Sequence, residues 1–264
     1  MFEIKSQIEL KRLLSFYRRN IHSELILTNW FFSNTLSNEL LVFENCCGVF
    51  FLDYDRVIDR FNYYFLADKR GIGDLALKFP TSKKVVSEHI SQDEPNNDIY
   101  LHFKKNGFVK YASLIKMSLL GENQNISLSK FSNIEQCTEN DFHFIRNVFN
   151  KHFDSISERL PTDREIDEAI RFGSIFKLAS SSLISAFYWA DVKKVVSELR
   201  YIYVGEKFRG RGIGRQLLEH HLTNTEGVKK HQLWVLDGNI PAINLYKRYG
   251  YRFDQLIDTV YFRG

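Results

Sequence analysis

Cysteine and proline are scarce in this chain of 264 residues. The three cysteines are Cys46, Cys47 and Cys137. An adjacent pair and one distant residue provide neither a disulfide framework nor the spacing of a metal site. Few cysteines are typical of proteins in a reducing compartment, so we expect a cytoplasmic protein without a bound metal. Only four prolines and no low-complexity tract argue against long disordered segments.

Long apolar runs are also missing. Without a stretch of about 18 apolar residues, the sequence predicts no membrane span, and Met1–Lys5 lacks the pattern that begins a secretory signal. The formal net charge of +4 is a mild excess that does not require a nucleic-acid partner and is compatible with a small anionic ligand. The abundant residues are aromatic, with 23 Phe and 13 Tyr, which favours well-packed sheets.

The hydrophobic pattern divides the chain into two halves at a polar linker, Gly121–Asn125. The first half alternates segments of helical and strand periodicity. Its predicted elements are helices near residues 5–20 and over Leu25–Phe32, strands Leu40–Glu44, Val49–Asp53 and Phe61–Leu66, a helix over Tyr100–Asn106, and a strand over Phe108–Met117.

The second half starts with a predicted strand, Ser127–Phe131, followed by two helices. Asn140 is the expected cap of the first helix, while Thr162 and Glu165 form a capping box for the second, which ends at Gly173. Strands Ser174–Ala179, Leu183–Ala190 and Val195–Val204 come next, then a helix from Arg211, strand Gln232–Leu236, a helix from Pro241 to Gly250, and strands Tyr251–Asp254 and Thr259–Phe262. Hairpins followed by a β-α-β crossover predict a mixed sheet of the α+β type.

A glycine-rich segment, Arg209-Gly210-Arg211-Gly212-Ile213-Gly214, links the strand ending at Val204 to the next helix, which carries Arg215 in its first turn. Glycines let the backbone curl around an anion and direct several N–H groups at it. The helix N-terminus adds partial positive charge. We therefore interpret the segment as a cradle for a pyrophosphate.

Other phosphate and nucleic-acid motifs fit this segment less well. The Gly-Lys-Ser/Thr sequence of nucleotide hydrolases does not follow it, and the acidic partner of a dinucleotide fingerprint is missing. Arg-Gly repeats bind RNA in disordered tails, whereas this one lies between a strand and a helix. A tight turn without a ligand stays open as an alternative.

Two linked motifs in the second half resemble those of the GNAT superfamily of acyl-CoA-dependent N-acyltransferases. Arg209, Gly212 and Gly214 match the fixed positions of its Gln/Arg-x-x-Gly-x-Gly/Ala loop. Its second signature is matched, after the next strand, by Asn239, Ala242, Leu245, Tyr246, Gly250 and Tyr251. The resemblance covers about residue 127 to the end and implies a catalytic GNAT domain over residues 127–264.

The resemblance implies how acetyl-CoA is bound. The backbone of Ile202 and Val204 would pair with the pantetheine arm, and the N–H groups from Arg209 to Arg215 would hold the pyrophosphate. A backbone N–H near Tyr203 or Val204 would stabilise the oxyanion. Asn239 would contact the pantetheine or the thioester, with a plain helix cap as the alternative.

The resemblance also suggests the catalytic groups. Tyr246 would donate a proton to the departing thiolate, with a packed aromatic as the alternative. Glu198, six positions before Val204, is the expected general base, with a solvated strand-edge carboxylate as the alternative. The segment Phe153–Pro161 borders the acceptor site in the resembled fold, and its carboxylates, Asp154 and Glu158, either attract an amine or belong to a solvated loop.

The first half shows weaker traces of the same pattern. Gly107-Phe108 parallels Gly250-Tyr251, and Phe103 stands where Tyr246 stands in the other half. Asp68–Gly73 only faintly matches the glycine loop, because Asp68 replaces the Gln/Arg. We therefore expect tandem GNAT-like domains, each a mostly antiparallel mixed sheet flanked by helices, with residues 1–120 as a degenerate domain. An unrelated α/β domain is the alternative.

The expected function is transfer of an acetyl or other short acyl group from coenzyme A to an amine in a ternary complex. A non-catalytic acyl-CoA sensor and a transferase that uses aminoacyl-tRNA are the alternatives, and the complete glycine loop argues against the second. The acceptor, whether a small molecule, sugar or peptide, and the oligomeric state stay open.

Overall fold

The computed structural model describes residues 2–4, 6–20, 40–56, 58–68, 72, 76–77, 79, 83–92, 97–121, 133–180 and 183–264. These residues form two compact units. The first contains Met1–Leu114, Ser155–Ser157 and Gln255–Gly264, and the second contains Ile115–Asp154 and Glu158–Asp254. The predicted helix Leu25–Phe32, the predicted strand Ser127–Phe131 and most of Gly121–Asn125 and Asp68–Gly73 lie outside the described residues.

The first unit has a sheet with the strand order β1-β2-β3-β4-β5-β12. Pairing is antiparallel except between β4 and β5. Buried Leu10 and Leu14 pack the first helix against one cluster of the sheet, and Ile99 and Phe103 pack the second helix against another. The elements are β1 (Phe2–Ile4), α1 (Gln7–Asn20), β2 (Leu40–Asn45), β3 (Gly48–Asp55), β4 (Arg60–Ala67), β5 (Val85–Ser91), α2 (Asn97–Lys105), β6 (Val109–Leu120) and β12 (Arg252–Arg263).

The second unit repeats this plan, with the strand order β6-β11-β10-β9-β8-β7. Pairing is antiparallel from β7 to β10 and parallel between β10 and β11. Its elements are β7 (Ile134–Gln136), α3 (Phe142–His152), α4 (Asp163–Arg171), β8 (Ile175–Ser180), β9 (Leu183–Lys193), β10 (Val196–Val204), α5 (Ile213–Asn224), β11 (Lys230–Leu236) and α6 (Ile240–Arg248).

The second unit has two hydrophobic clusters, and each packs a different pair of helices against the sheet. Ile145 of α3 and Ile166 of α4 pack with Trp189 of the sheet. Leu218 of α5 and Ile243 of α6 pack in another cluster that includes Leu199. Alternate residues of a strand point to opposite faces of the sheet. Side chains of the strands therefore contribute to both clusters, and both faces of the sheet are covered by helices.

The two halves end corresponding helices in the same way. Gly107 (φ 78°) and Gly250 (φ 88°) both adopt the left-handed conformation after a helix. The amide of Phe108 donates to the carbonyl of Phe103 at 2.9 Å, and the amide of Tyr251 donates to that of Tyr246 at 3.1 Å. This matching Schellman geometry, together with the shared strand plan, shows that both units follow one plan, each with a mostly antiparallel mixed sheet flanked by helices.

Several predicted boundaries differ from the structure. Asn140 does not cap a helix, because it lies inside a short 3₁₀ turn, Glu139–Asp141, that precedes α3. Strand β9 runs on to Lys193, and the turn is made by Lys194, whose φ is 56°. The two predicted C-terminal strands are one strand, β12, with a local irregularity at Gln255 (φ 57°).

The bounds of the two compact units also differ from the predicted division of the chain into residues 1–120 and 127–264. Residues 257–263 of β12 pair antiparallel with β5, so the end of the chain belongs to the first unit. Conversely, Ile115 begins the second unit, where β6 lies next to β11. The cause is that each half contributes the strand after its last helix to the other half's sheet.

Candidate functional site

A β-bulge opens the sheet of the second unit between β10 and β11. The two strands pair in parallel only through Val196–Leu199 of β10 and Lys230–Leu233 of β11. The register of β10 with β9 shifts between Leu199 and Tyr201, which places the extra residue at Arg200. Beyond this point β10 pairs with β9 alone among the described strands, so its other edge over residues 201–204 can offer backbone groups to an extended ligand.

The glycine-rich loop lies directly after this open edge. Gly210 and Gly212 both have φ 75°, and a Cβ built on either would meet no atom within 4 Å. The left-handed conformation explains why glycine is needed there. Gly212 also caps α5, whose first amides have no intrahelical partner. Within the described residues, no amide from Gly210 to Arg215 donates to a backbone carbonyl.

The arginine side chains of the loop have other partners. Nε of Arg209 donates to the carbonyl of Val204 at 3.1 Å, and Nε of Arg215 donates to Glu219 at 2.9 Å. The guanidinium of Arg211 lies 6.0 Å from the ring of Phe208. Because a guanidinium has five N–H donors and these contacts use only some of them, the loop presents both backbone amides and further guanidinium donors.

A cleft of about 1080 Å³ connects these features within the second unit. It is large enough for a ligand of cofactor size, since ligand pockets commonly span about 300–1,000 Å³. It brings together most of the predicted binding residues: Ile202, Tyr203, Val204, Arg209, Gly210, Gly212, Ile213, Gly214, Arg215, Asn239 and Tyr246. Arg211 and Glu198 are not among its lining residues.

Tyr246 is both a packed aromatic and a lining residue of the cleft. Its side chain is 4% exposed and belongs to the cluster beneath α5 and α6, with its ring 5.7 Å from that of Tyr251. Burial raises the pKa of Tyr246 well above its usual range. The hydroxyl therefore stays protonated at neutral pH and is available as a proton donor.

Asn239 and Glu198 have structural surroundings that differ from their predicted roles. Oδ1 of Asn239 accepts the amide of Ala242 at 3.3 Å, so this residue caps α6 while it lines the cleft. Glu198 pairs with Gln232 and Asp191 at the start of β10. Six residues of strand place it about 20 Å from Val204, since a strand rises about 3.3 Å per residue. The structure does not bring Glu198 together with the other predicted residues.

The cleft also includes residues that the motifs do not identify. His152, Phe153 and Glu158 come from the end of α3 and the following segment, and Phe208 comes from the short 3₁₀ turn Glu206–Phe208. Only the prediction that Phe153–Pro161 borders an acceptor site pointed to part of this wall. By contrast, His221 on α5 is a fully buried packing residue that does not line the cleft.

Comparison with known families decides what kind of fold contains this cleft. Residues 177–253 match the family profile described as acetyltransferase (GNAT) domain. These residues are a GNAT domain. The match includes the glycine loop, the open edge of β10 and both signatures found in the sequence.

A protein of known name is similar in sequence to part of the chain. Over 59 residues the chain is 32% identical to spermine/spermidine N(1)-acetyltransferase of Bacillus subtilis (strain 168), an alignment that spans 21% of this chain and 39% of that protein. The chain thus matches about two fifths of its relative's length.

Two solved structures share the fold over most of the chain. A GCN5-related N-acetyltransferase from Sphaerobacter thermophilus superposes with a TM-score of 0.61 at 14% identity, covering 88% of this chain and 82% of that one. A tandem GNAT protein from the clavulanic acid biosynthesis pathway superposes with a TM-score of 0.57 at 9% identity, covering 94% and 86%. The second neighbour agrees with a tandem GNAT-like architecture.

Among the described helices, none combines the length and the hydropathy that crossing a lipid bilayer requires.

Proposed function

We propose that the second unit is an N-acyltransferase that moves an acetyl or other short acyl group from coenzyme A to an amine. The observation that carries this proposal is the alignment of three features along one cleft. They are the open edge of β10, the free amides of Gly210–Arg215 and the buried hydroxyl of Tyr246. We propose that residues 127–264 are the catalytic domain, that residues 1–120 are a degenerate GNAT domain, and that the protein works in the cytoplasm.

The loop fits the pyrophosphate of an acyl-CoA. A pyrophosphate needs several N–H donors that converge without side chains in between. Gly210 and Gly212 provide this, because open space lies where a Cβ would be. The edge of β10 at Ile202 and Val204 then offers its backbone groups to the amides of the pantetheine arm.

Tyr246 is the proposed acid for the departing thiolate. Acyl transfer forms a C–N bond and breaks a C–S bond, and the sulfur takes up a proton. A hydroxyl held in a desolvated position by packing against Tyr251 can supply that proton without reorganisation. Catalysis otherwise depends on holding two substrates in one complex.

Polyamines are the first acceptors to test. The similar protein of Bacillus subtilis is named for spermine and spermidine, and the wall of this cleft near α3 contains a carboxylate, Glu158. A cationic amine is compatible with that charge, whereas the sequence itself favours no particular acceptor.

The decisive experiment measures thermal unfolding with and without 1 mM acetyl-CoA, followed by thiol release with a panel of amines. A ligand at 100 times its Kd stabilises the folded state by about 2.7 kcal/mol, which is a rise in Tm of several degrees. An unchanged Tm would overturn the proposal. A raised Tm without thiol release for any amine would indicate the acyl-CoA sensor instead, and salt-sensitive tRNA binding without a CoA effect would indicate the aminoacyl transferase.

A further inference from the structure

The wall of the cleft formed by the end of α3 and the segment after it has a carboxylate in a fixed position. Oε2 of Glu158 accepts the backbone N–H of Asp154 at 3.0 Å. The backbone N–H of Glu158 donates to the carbonyl of Asp154 at 2.9 Å. These two hydrogen bonds close a turn and orient the side chain, which lines the cleft.

The segment that carries Glu158 is itself anchored to the unit. The hydroxyl of Tyr201 donates to the carbonyl of Arg159, and Nη1 of Arg146 donates to the carbonyl of Pro161 at 2.8 Å. Tyr201 lies at the start of the open edge of β10. The carboxylate is therefore held in a fixed relation to the strand on which an acyl-CoA would lie.

Glu158 differs from the acidic residues that follow it. Each of those has an arginine partner: Asp163 with Arg146, Glu165 with Arg159, Asp167 with Arg171 and Glu168 with Arg164. Glu158 has no such cationic partner in the part of the chain that the structure describes, and its Oε1 accepts no hydrogen bond there. One oxygen of a fixed carboxylate that lines the cleft therefore keeps its capacity to accept a hydrogen bond from a ligand.

Burial makes this oxygen more basic. Desolvation raises the pKa of Glu158 above its usual range, against the lowering effect of the Asp154 amide, and the charge of Asp154 raises it further. A carboxylate with a raised pKa takes a proton from an ammonium group more readily than a solvated one.

Aromatic rings line the same cleft as Glu158. Phe153 and Tyr203 are among its lining residues, and the ring of His152 lies 5.2 Å from that of Tyr203. Rings in the same cleft as a carboxylate suit a cationic group, since a cation is attracted to ring faces as well as to the negative charge.

We infer that Glu158, with the rings of Phe153 and Tyr203, forms the subsite for a protonated primary alkylamine, and that Glu158 takes the proton which frees the amine for attack. The inference rests on the proposed acyl transfer and names the acceptor class of that site. Glu158 thus takes the role that the sequence suggested for Glu198.

Glu158 and Tyr246 account for every proton that moves in the proposed reaction. The ammonium gives one proton to Glu158, and the neutral nitrogen forms a bond to the thioester carbon. The C–S bond breaks as the sulfur takes the proton of Tyr246, and Tyr246 recovers a proton from the attacking nitrogen. Glu158 then releases its proton to solvent, so the reaction yields amide, free thiol and one proton.

The test compares Glu158→Gln with wild type, using two amines as probes. Spermidine is cationic at pH 7.5, whereas p-anisidine, an arylamine, is neutral and has no proton to lose before attack. We expect kcat/KM for spermidine to fall at least about 30-fold, in the range of general-base effects, and kcat/KM for p-anisidine to change less than about threefold. Glu158→Asp should restore part of the spermidine activity. Exposed Glu206 provides the matched control, Glu206→Gln, with unchanged activity.

The outcomes separate this inference from the proposed function. If wild type shows no Tm shift with acetyl-CoA, the proposed function is wrong. If wild type binds acetyl-CoA but leaves spermidine unmodified, or if Glu158→Gln acetylates spermidine as wild type does, only the subsite is wrong. Equal losses with both amines would also overturn it, since they indicate a general structural defect. Should Glu158→Gln fail to fold, the two amines are compared with Glu158→Asp, whose shorter carboxylate should lower kcat/KM for spermidine more than kcat/KM for p-anisidine.

Discussion

Two neighbouring tyrosines of the second unit are both buried, but only one of them lines the cleft. Tyr246 and Tyr251 are 4% and 2% exposed and their rings pack together. Only Tyr246 lines the cleft, whereas the hydroxyl of Tyr251 is buried without a hydrogen-bond partner among the described residues. We therefore expect substitutions of the two tyrosines to distinguish the proposed chemical role of Tyr246 from a packing role.

We expect Tyr246→Phe to lower kcat about 10- to 100-fold and to change KM for acetyl-CoA less than about twofold, because it removes the proton donor but keeps the ring. Steady-state thiol release measures both constants. The control is Tyr251→Phe, which removes an unpaired buried hydroxyl and should leave kcat unchanged while stability stays equal or rises. Equal effects of both variants would argue against an acid role for Tyr246.

The left-handed glycines allow a second comparison between two similar positions. Gly212 (φ 75°) is at the loop and Gly227 (φ 89°) follows α5 outside the cleft, and a Cβ on either would meet nothing within 4 Å. Alanine should cost each about 1–2 kcal/mol of folding stability. Only Gly212→Ala should raise the Kd for acetyl-CoA, about tenfold, because its methyl group enters the space of the pyrophosphate. Calorimetric titration of both variants tests this, and equal Kd values would exclude a loop site.

Most residues that the motifs assign to cofactor binding line the cleft, whereas of the two expected acid–base residues, Tyr246 and Glu198, only Tyr246 does. The loop from Arg209 to Gly214 was identifiable because the spacing of its glycines indicates where the backbone can adopt a left-handed conformation. Glu198 was an expectation from distance along the strand, and the bulge at Arg200, which opens the edge, has no sequence signature of its own. Glu158 depends on a turn closed by Asp154, and hydrogen bonds of this kind appear only in three dimensions.

At the scale of elements, the hairpin of β2 and β3 imposes a strict requirement on its first residue after the turn. A Cβ on Gly48 would lie 2.3 Å from the carbonyl oxygen of Leu66 and 2.7 Å from Cβ of Ala67. Both belong to β4, which pairs with β3 along its whole length. The clash is with backbone, so it cannot be relieved by a side-chain rotation.

Gly48→Ala should therefore lower the free energy of unfolding by about 1–3 kcal/mol, as overpacking does. Urea unfolding monitored by circular dichroism measures the change. Gly238→Ala is the control, because nothing lies within 4 Å of its Cβ position and its φ is not positive; we expect a change within about 0.5 kcal/mol. Equal stabilities of the two variants would contradict this account of the hairpin.

Elements with local signals were predicted well. The capping box of α4 is present, with Thr162 accepting the amide of Glu165 at 3.2 Å. The predicted strands Leu40–Glu44 and Val49–Asp53 are also present and pair as a hairpin, because their signal lies within a few residues. Errors occurred where tertiary contacts decide, as at the single strand β12, whose pairing with β5 joins residues far apart in sequence.

At the scale of the whole molecule, buried histidines in both units make the stability of the folded state depend on pH. Burial lowers the pKa of His102 in the first unit to about 4. In the second unit burial lowers the pKa of His231 to about 4, and burial followed by the charges of His231 and His220 lowers that of His221 to about 3. Below pH of about 6.5 the unfolded chain binds protons that the folded chain does not. The stability from these groups is present above that pH and is lost as the pH falls toward their folded pKa values.

We expect Tm to fall by more than about 5 °C between pH 7 and pH 4.5. His221→Leu should flatten this dependence, since one of the buried imidazoles no longer gains a proton on unfolding. Differential scanning fluorimetry across this range provides the measurement. Exposed His143 gives the control, because His143→Gln should leave the curve unchanged. A His221→Leu profile parallel to wild type would contradict the assignment.

The exchange of terminal strands has a consequence for how this chain is made. A ribosome releases the N-terminus first, and domains generally fold in the order in which they emerge. The first unit, however, needs residues 257–263 to pair with β5. Its sheet therefore stays incomplete until translation of the GNAT domain is finished. The first unit can therefore complete its sheet only after residues 257–263 have been synthesised, and until then chaperones would meet it with an exposed strand edge.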